Sequence, residues 1–362
     1  MVTETDILIN RVRKKINKRL AVFFEREIKK AAAIDPSYEK AVRMVADFTL
    51  RGGKRVRAAL MYYGYIACGG RRTKAILDAA LSMELAHSFL LIHDDIIDND
   101  TLRRGKPTLH KEYEKLFWTL KILRPEQLGV SLAMLCGDIA YTLANKILCE
   151  SDFDPRCRAS AMRSFQLMIN HTAAGEIMDI TKESKEHLTI DDIIKTYKYK
   201  TAKYTIEGPL LIGAQLAEEC RESEKCRKIR EALSQYAILL GVAFQIHDDI
   251  IGIYGNSRET GKEVGSDLRD GKKTILIQKT LENADAPTRQ KIENILGSQN
   301  ISKKDLAFFK KTAEKTEALA YCSNLANNLS VQAKEIIVSS SIGGAARDFF
   351  LGSAQYIIER KK

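Results

Sequence analysis

Apolar residues recur every three or four positions along almost the whole chain, and this spacing constrains the fold more than any other feature. The pattern is clearest over residues 73–97, 126–150, 156–180, 222–253 and 303–333. A period near 3.6 places apolar side chains on one face of an α-helix, and the alternation typical of strands is absent. Only six prolines interrupt the 362 residues. The sequence therefore predicts an all-α protein of about a dozen helices.

The breaks between the predicted helices are short and rich in glycine. They fall at Arg51-Gly52-Gly53, Cys68-Gly69-Gly70, Arg104–Pro107, Asp152–Pro155, Gly255–Gly265 and Asp270-Gly271. None is long enough to be a flexible linker between independent domains. We therefore expect residues 1–362 to form a single large helical domain.

Charge and hydropathy narrow the class of partner. The chain has 58 Lys and Arg against 47 Asp and Glu, a net charge of +11, so an anionic partner is expected. The terminal basic residues are spaced as on solvated helix faces, and nucleic acid is not the expected partner. The longest apolar stretch, 236–246, is far shorter than the roughly 20 residues that a membrane span needs. With no convincing targeting segment, we expect a cytoplasmic protein without an integral membrane segment.

The cysteines point to the same compartment. Seven are scattered along the chain without any CxxC pair. An odd number in this arrangement argues against both a disulfide framework and a zinc site. We expect all seven to be reduced packing residues.

The hexapeptide IHDDII occurs twice, at residues 92–97 and 246–251. On a helix, Asp94 and Asp98 share one face and the intervening acid flanks it, whereas Gly252 stands in the second copy where Asp98 stands in the first. Carboxylates this close repel one another unless a cation compensates. Hard oxygen donors without a nearby cysteine favour Mg²⁺ shared with a substrate phosphate. A solvated acidic helix end is the structural alternative, which the repeat disfavours.

Candidate phosphate-binding residues flank these motifs. In RGGKRVR, a double glycine precedes Lys54 and Arg57, which are predicted to lie three apart on one helix face. Glycines let the backbone approach an anion, and a helix N-terminus presents free N–H groups to it. Further candidates are Arg103 and Arg104, which follow Asp98, together with Lys200, Thr201, Lys262 and Lys272.

In this order, the motifs resemble the trans-isoprenyl diphosphate synthases, short-chain members such as farnesyl and geranylgeranyl diphosphate synthases. The resemblance is carried by GGKRVR, DDIIDNDTLRRGKP, the Lys-Thr pair at 200–201, FQIHDDIIGIYG and TGKEVGSDLRDGKKT. It covers about residues 50–275. It implies the all-α prenyl synthase fold, a single helical bundle around a central cavity, and a homodimer.

The same resemblance implies roles for individual residues. Asp94 and Asp98 would ligate two Mg²⁺ ions and Asp248 a third, so that about three ions bridge the allylic diphosphate. Residues implied to hold that diphosphate are Arg103, Lys200 and Lys262, with Lys272 nearby. Residues implied to bind isopentenyl diphosphate are Lys54, Arg57, His87 and Arg104. Gln245 and Thr201 would lie beside the developing allylic cation.

The implied reaction is the Mg²⁺-dependent head-to-tail condensation of isopentenyl diphosphate with allylic diphosphates. By resemblance, Phe89 and Leu90, five and four positions before the first metal-binding aspartate, help form the floor of the cavity. One aromatic residue at this place resembles archaeal-type geranylgeranyl diphosphate synthases, so geranylgeranyl diphosphate is the expected product. A farnesyl diphosphate synthase, or a producer of both, is the alternative. Phe89 as an ordinary core aromatic also stays open.

Other classes of protein remain as alternatives. His87, His93 and Asp94 leave open an HD-type metal-dependent phosphohydrolase, which would need histidine ligands. A class I terpene cyclase would share the first acidic motif, but its second motif would differ from DDIIG. A non-catalytic partner subunit and a basic nucleic-acid-binding helical protein are less well supported, because each family position carries a competent residue. Two departures from the family pattern are Glu176, where many members have glutamine, and a long stretch over 109–131 without an assigned role.

Overall fold

A computed structural model describes residues 4–182, 188–217, 223–255, 264–298 and 300–359 of the chain. Helices dominate these ranges, which confirms the all-α prediction. The first helices are α1 (Glu4–Ala32), α2 (Pro36–Leu50), α3 (Val56–Ala67), α4 (Thr73–Ala79), α5 (Leu81–Ile97), α6 (Leu109–Thr119), α7 (Pro125–Cys149) and α8 (Pro155–Thr181). There follow α9 (Ile190–Thr196), a π-helix (Tyr197–Glu207), α10 (Gly208–Gln215) and α11 (Glu224–Tyr254). The last are α12 (Ser266–Arg269), α13 (Ile275–Asn283), α14 (Ala286–Ile295), α15 (Lys303–Lys315), α16 (Ala318–Ser339) and α17 (Gly344–Glu359).

Polar side chains set the first residue of several helices. The Asp35 carboxylate accepts from the backbone N–H of Ser37 at the start of α2. The Ser223 and Thr274 hydroxyls cap α11 and α13 in the same way. Each cap satisfies an N–H group that has no partner within its own helix.

Two predicted helices are interrupted, and one short pair of strands was not predicted. The apolar period over 73–97 crosses a break at Ala80, and the period over 303–333 crosses one at Glu317, whose φ is 59°. Periodicity does not reveal such breaks because the same apolar face continues beyond them. Leu102–Arg103 (β1) pairs antiparallel with Lys106–Pro107 (β2) around a turn in which Arg104 and Gly105 have φ of 54° and 73°.

The chain divides into two compact units. The first unit contains Met1–Met162 and Ile212–Arg221. Its core includes Phe24 of α1, Met61 of α3 and Met83 of α5, all nearly inaccessible. Gly213 lies so close to α3 that a Cβ atom there would come within 1.9 Å of the Met61 carbonyl oxygen. A larger residue at 213 would therefore displace backbone.

The second unit contains Arg163–Leu211 and Glu222–Lys362. Its core gathers Ile246 of α11, Ile277 of α13, Phe309 of α15 and Cys322 of α16. At Gly241 of α11, a Cβ atom would lie 2.4 Å from the Cα of Ala202 in the π-helix. The absence of a side chain at 241 thus brings these two helices into backbone contact. The prediction that residues 1–362 form one domain stays a prediction.

Among the residues that the structure describes, three helical segments are long and apolar enough to cross a membrane by length and composition alone. They are Thr73–Ile97, Pro125–Cys149 and Glu224–Tyr254, and the protein itself buries 72%, 39% and 50% of their most apolar windows. The expectation from the longest uninterrupted apolar stretch missed them, because isolated polar residues divide each segment. The absence of an integral membrane segment therefore stays a prediction.

The prediction that every cysteine is reduced is wrong for Cys226, which is disulfide-bonded. Sequence spacing alone does not show which cysteines approach one another in the fold. Cys68, Cys136, Cys157 and Cys322 are free and buried, and Cys149 is free and exposed. Burial raises the pKa of the Cys136 thiol to about 11, as expected of an inert packing residue.

Candidate active site

The first acidic motif lies at the C-terminal end of α5. The N–H of Asp98 donates to the carbonyl oxygen of Asp94 over 2.8 Å, so helical geometry extends to Asp98 although α5 ends at Ile97. Asp94 and Asp98 therefore lie one turn apart on one face, as predicted. Asp94 is partly exposed and Asp98 exposed, whereas the side chain of Asp95 is only 1% exposed.

Arg103 lies among the acids of this motif. The β1–β2 turn brings its guanidinium to the buried Asp95, to Asp94 at 3.3 Å and to Asp100 at 2.9 Å. Burial raises the pKa of Asp95 to about 6 even though Arg103 opposes this shift. The Oδ2 atom of Asp95 has no hydrogen-bond partner in the described ranges. Arg103 thus supplies part of the positive charge that clustered carboxylates require.

Asp94 and Asp98 form a donor set that fits Mg²⁺. They offer two carboxylates on one accessible helix face, and Mg²⁺ is usually held by one or two carboxylates, with waters and substrate phosphate completing its shell. Among the described residues, no three His, Cys, Asp or Glu side chains converge to form a complete protein cage. The motif is therefore suited to a metal that arrives with a phosphorylated ligand.

The GGKRVR segment is not helical from its start. Gly52 and Gly53 have φ of 112° and 118°, and α3 begins only at Val56. The prediction that Lys54 and Arg57 share a helix face is therefore wrong, because Lys54 precedes the helix. Lys54 is exposed and Arg57 is partly exposed.

Arg55 anchors this segment in the core, a role that the sequence analysis missed. Its φ is 57°, and its guanidinium pairs with Glu84 at 3.0 Å, both side chains being 3% exposed. It also donates to Asn17 and to the carbonyl oxygen of Thr49. The signal in the sequence is Glu84 itself, a lone acid in the apolar run LSMELAHSFLLI, because a buried acid needs a partner.

Three of the four residues predicted to bind isopentenyl diphosphate, Arg57, His87 and Arg104, come together in the first unit. Arg104 donates to the carbonyl oxygen of Gly52 over 2.6 Å, and Gly52 lies two residues before Lys54. Burial, and then the charges of Arg57 and Arg104, lower the pKa of His87 well below its usual value. Burial also lowers the pKa of Arg104. Because positive charge is in excess here, an anionic ligand would be stabilised.

The second acidic motif belongs to a hydrogen-bonded chain in the second unit. The Thr201 hydroxyl donates to Gln245 Oε1 over 2.7 Å, and Gln245 Nε2 donates to Asp249 Oδ1 over 2.8 Å. The Tyr197 hydroxyl donates to Asp249 Oδ2 and accepts from the Ile275 N–H. Burial raises the pKa of Asp249 well above its usual value. Gln245 is thereby held at both ends of its amide.

Gly252 makes room for another acid. A Cβ atom at 252 would lie 2.9 Å from Oδ2 of Asp267, closer than an ordinary contact. The N–H of Gly265 donates to the carbonyl oxygen of Gly252 over 2.9 Å and fixes the turn that carries Asp267. The glycine that appeared to leave the second motif incomplete thus faces a carboxylate from elsewhere in the chain. Asp267 lies in the TGKEVGSDLRDGKKT motif, but the sequence analysis assigned it no role.

Lys200 is held by two carboxylates of α8. Its Nζ lies 2.8 Å from Glu176 and 2.6 Å from Asp179. Burial alone would raise the pKa of Asp179, but Lys200 and Lys182 lower it to about 2. Gly175 allows this approach, since a Cβ there would lie 2.2 Å from the Lys200 backbone nitrogen. Lys200 and Thr201 lie on the π-helix, an element often found at functional sites.

Phe89 points toward α7. Its ring centroid lies 4.8 Å from that of His93 and 5.0 Å from that of Tyr141, and all three side chains are partly exposed. His93 Nε2 lies 3.2 Å from the carbonyl oxygen of Met134, so His93 is turned toward α7. This contact does not suit the histidine ligand of an HD-type phosphohydrolase. Leu90 is also partly exposed.

The remaining predicted residues are placed as follows. Asp248 and Lys272 are partly exposed, and Lys272 donates its N–H to the carbonyl oxygen of Asp267. Lys262 lies outside the described residues. The first unit holds Lys54, Arg57, His87, Phe89, Leu90, Asp94, Asp98, Arg103 and Arg104. The second holds Lys200, Thr201, Gln245, Asp248 and Lys272.

Comparison with known proteins bears directly on this arrangement. Residues 39–313 match the sequence profile of the polyprenyl synthetase family. A geranylgeranyl diphosphate synthase of Saccharolobus solfataricus is 33% identical, covering 86% of this chain and 87% of that protein. A (2E,6E)-farnesyl diphosphate synthase of Mycobacterium bovis is 31% identical, covering 85% of this chain and 80% of that protein. Among solved structures, a geranylgeranyl pyrophosphate synthase of Corynebacterium glutamicum in complex with isoprenyl diphosphate and magnesium is similar, with a TM-score of 0.90 and 29% identity. The match covers 97% of this chain and 99% of that chain.

Proposed function

This chain belongs to the polyprenyl synthetase family, and we propose that it condenses isopentenyl diphosphate with allylic diphosphates to give mainly geranylgeranyl diphosphate. It is a prenyltransferase that elongates trans-prenyl chains. The observation that carries the proposal is the pairing, in one unit, of an accessible acid face with a cluster of cations. Asp94 and Asp98 provide the acid face. Arg57 and Arg104 provide the cations, and the neutral His87 lies among them.

The proposed roles follow from charge. The cluster of Lys54, Arg57, His87 and Arg104 binds the diphosphate of isopentenyl diphosphate, whose negative charge offsets the excess of positive charge there. Arg103 and Lys200 bind the allylic diphosphate and stabilise the charge that develops when it departs. Lys262 and Lys272 are proposed to assist them.

A divalent metal belongs to this chemistry. We propose that Asp94 and Asp98 hold two Mg²⁺ ions and that Asp248 holds a third, about three in all. When bound, Mg²⁺ withdraws negative charge from the leaving diphosphate. The structure with magnesium and isoprenyl diphosphate among the similar proteins supports a divalent metal. Because Asp95 and Asp249 are buried, the partly exposed first aspartate of each motif is the available ligand.

The allylic cation is proposed to develop beside Gln245. The amide donates to Asp249 and accepts from Thr201, so its oxygen is fixed in direction and keeps a second lone pair for a cation. The alkene of isopentenyl diphosphate then attacks the allylic carbon, and the released diphosphate removes the final proton. The protein acts by positioning and electrostatics, and no protein nucleophile is required.

A primer assay tests the reaction and its product together. Purified protein is incubated with Mg²⁺, isopentenyl diphosphate and an allylic primer of five, ten or fifteen carbons, and the dephosphorylated products are separated by chromatography. We expect mainly the twenty-carbon product. Asp94→Ala is expected to remove most turnover because the metal loses a ligand. Absence of elongation with every primer, or near-normal activity of Asp94→Ala at saturating Mg²⁺, would contradict the proposal.

We also propose a homodimer in the cytoplasm. On α7, Leu128, Met134 and Leu135 are 37%, 48% and 55% exposed, which supports an apolar interface between copies. Light scattering of the purified protein should give the mass of two chains. Leu135→Arg should shift the mass to one chain, whereas an unchanged mass would place the interface elsewhere.

A further inference from the structure

The connection between α6 and α7 carries large apolar side chains in unusual density. Trp118, Leu120, Ile122 and Leu123 are 60%, 58%, 41% and 85% exposed. Single exposed apolar residues are common on protein surfaces and need no explanation. Four within six positions are a local concentration of exposed apolar side chains, which marks an interaction site in a folded protein.

The backbone of this connection is ordered. The N–H of Lys121 donates to the carbonyl oxygen of Trp118 over 3.1 Å, and that of Ile122 to the carbonyl oxygen of Phe117 over 3.0 Å. These two bonds close α6 with the turn that commonly ends helices. The opposite side of α6 is anchored by the buried Leu109 and Tyr113. The exposed side chains are therefore presented by a fixed turn.

Three cations lie among the apolar residues. Lys115, Lys121 and Arg124 are exposed, and residues 115–125 contain no acid, the nearest in sequence being Glu114 and Glu126. Across the part of the chain that the structure describes, no hydrogen bond or ion pair engages these three side chains. The 115–124 patch, meaning these three cations and the four apolar residues, thus combines basic, aromatic and aliphatic side chains. This composition binds the interface of an anionic membrane.

We propose that the 115–124 patch docks the protein on the surface of an anionic lipid bilayer. Trp118 and Leu123 enter the headgroup region, where tryptophan is favoured, and the basic side chains meet lipid phosphates. A second copy of the chain fits less well. A two-fold interface through this patch would bring the same three cations against one another. The inference does not rest on the proposed reaction.

Trp118 is the only tryptophan of the chain, so its fluorescence reports on the patch alone. The full-length protein is mixed with phosphatidylcholine vesicles that contain or lack phosphatidylglycerol. We expect co-sedimentation and a blue-shifted Trp118 emission with the anionic vesicles, both weakened by high salt because surface charge is screened. No shift and no co-sedimentation at low salt would overturn the proposal.

Matched variants distinguish vesicle binding through the 115–124 patch from non-specific adsorption of the protein. Leu123→Ser should lower vesicle partition roughly tenfold, because an exposed leucine loses its apolar environment in the membrane. Ile34→Ser is its control, since Ile34 is 74% exposed at another surface. The pair Lys121→Asn and Arg124→Asn should lower partition roughly 25-fold, about fivefold for each charge. Asparagine tolerates the left-handed backbone at both positions, where φ is 54° and 57°.

The charge control is the pair Lys303→Gln and Lys304→Gln, which removes two exposed cations from another surface. Equal losses in patch and control variants would overturn the proposal. Light scattering of Leu123→Ser tests whether a second copy of the chain, and not a membrane, binds the 115–124 patch. A change from dimer to monomer without any effect on vesicle binding would assign the patch to a second copy of the chain. Circular dichroism checks that each variant is folded, and the solution primer assay should be unchanged.

Discussion

The contact between Gly252 and Asp267 predicts a non-additive effect on stability. Gly252 is in the last turn of α11, where a Cβ would lie 2.9 Å from Asp267 Oδ2, against 3.4–4 Å for an ordinary contact. In Gly252→Ala, the Asp267 carboxylate must move. Overpacking of a well-packed core costs about 1–3 kcal/mol, whereas alanine in place of glycine stabilises a helix by about 1 kcal/mol. The lower end of that cost applies here, because the displaced atom is the end of a partly exposed side chain. We expect the two effects nearly to cancel, so that Gly252→Ala changes the free energy of unfolding by less than about 1 kcal/mol.

Removing the Asp267 side chain should make the same substitution stabilising. In an Asp267→Ala background the close contact is gone, so Gly252→Ala should stabilise the protein by up to about 1 kcal/mol. The expected coupling between the two positions is therefore about 1 kcal/mol. Asp267→Asn is the matched control, since it keeps the shape of the side chain and removes its charge.

Gly252→Asp separates steric from electrostatic effects. It completes the acidic motif in sequence, but it puts a second carboxylate against Asp267 and near the buried Asp249. We expect it to destabilise the wild-type background more than Gly252→Ala, with partial relief by Asp267→Asn and fuller relief by Asp267→Ala.

Urea unfolding followed by circular dichroism measures these free energies, and the primer assay measures turnover. Additive effects at 252 and 267, with a coupling below about 0.5 kcal/mol, would refute the reasoning. In turnover, Gly252→Asp should be affected far less than Asp98→Gly. The reverse order would mean that the second motif does not tolerate a change at residue 252.

Three further predictions concern other parts of the two units. Phe89→Ala should lengthen the product distribution, because the large side chain beside Tyr141 is removed; an unchanged chain length by chromatography would contradict it. Glu176→Gln should lower the KM for the allylic diphosphate roughly two- to fivefold, because Lys200 loses one of two partly exposed carboxylate partners, while the KM for isopentenyl diphosphate stays constant. Burial lowers the pKa of His110 in the folded protein below its value in the unfolded chain. When the pH drops below about 6.5, the unfolded chain takes up a proton first, and the free energy of unfolding should therefore decrease. His110→Leu should flatten that fall in urea titrations at pH 7.5 and 5.5, and an equal slope would count against it.

The helices and the first acid face were predictable because both depend on local periodicity. Asp94 and Asp98 are four residues apart, so any helix that includes both places them on one side. Arg103 was expected near them from its proximity in sequence, and the β1–β2 turn brings it there. The sequence did not show that Arg103 would contact the acids themselves.

Features that depend on contacts distant in sequence were not predictable in the same way. Arg55 appeared as one more cation in GGKRVR, yet it forms a buried pair with Glu84, 29 positions away. The π-helix shifts the faces on which Lys200 and Thr201 lie. The apolar spacing of the sequence does not show that this segment has about one residue more per turn than an α-helix. Such assignments require the partner residue, which only the fold identifies.

The two IHDDII copies are more alike in structure than the different residues that follow them, Asp98 and Gly252, indicate. In each, the first aspartate is partly exposed and the second is buried, Asp95 to 1% and Asp249 to 6% exposure. Because successive helical residues are 100° apart, the first carboxylate of each motif can face solvent while its neighbour faces the core. Burial raises the pKa of both buried acids, and each has its own polar partner, Arg103 for Asp95 and Tyr197 for Asp249. The second aspartate therefore anchors each motif, which leaves the first for a ligand. The presence of Gly252 where the first motif has Asp98 has its own steric cause, the Asp267 carboxylate that faces Gly252.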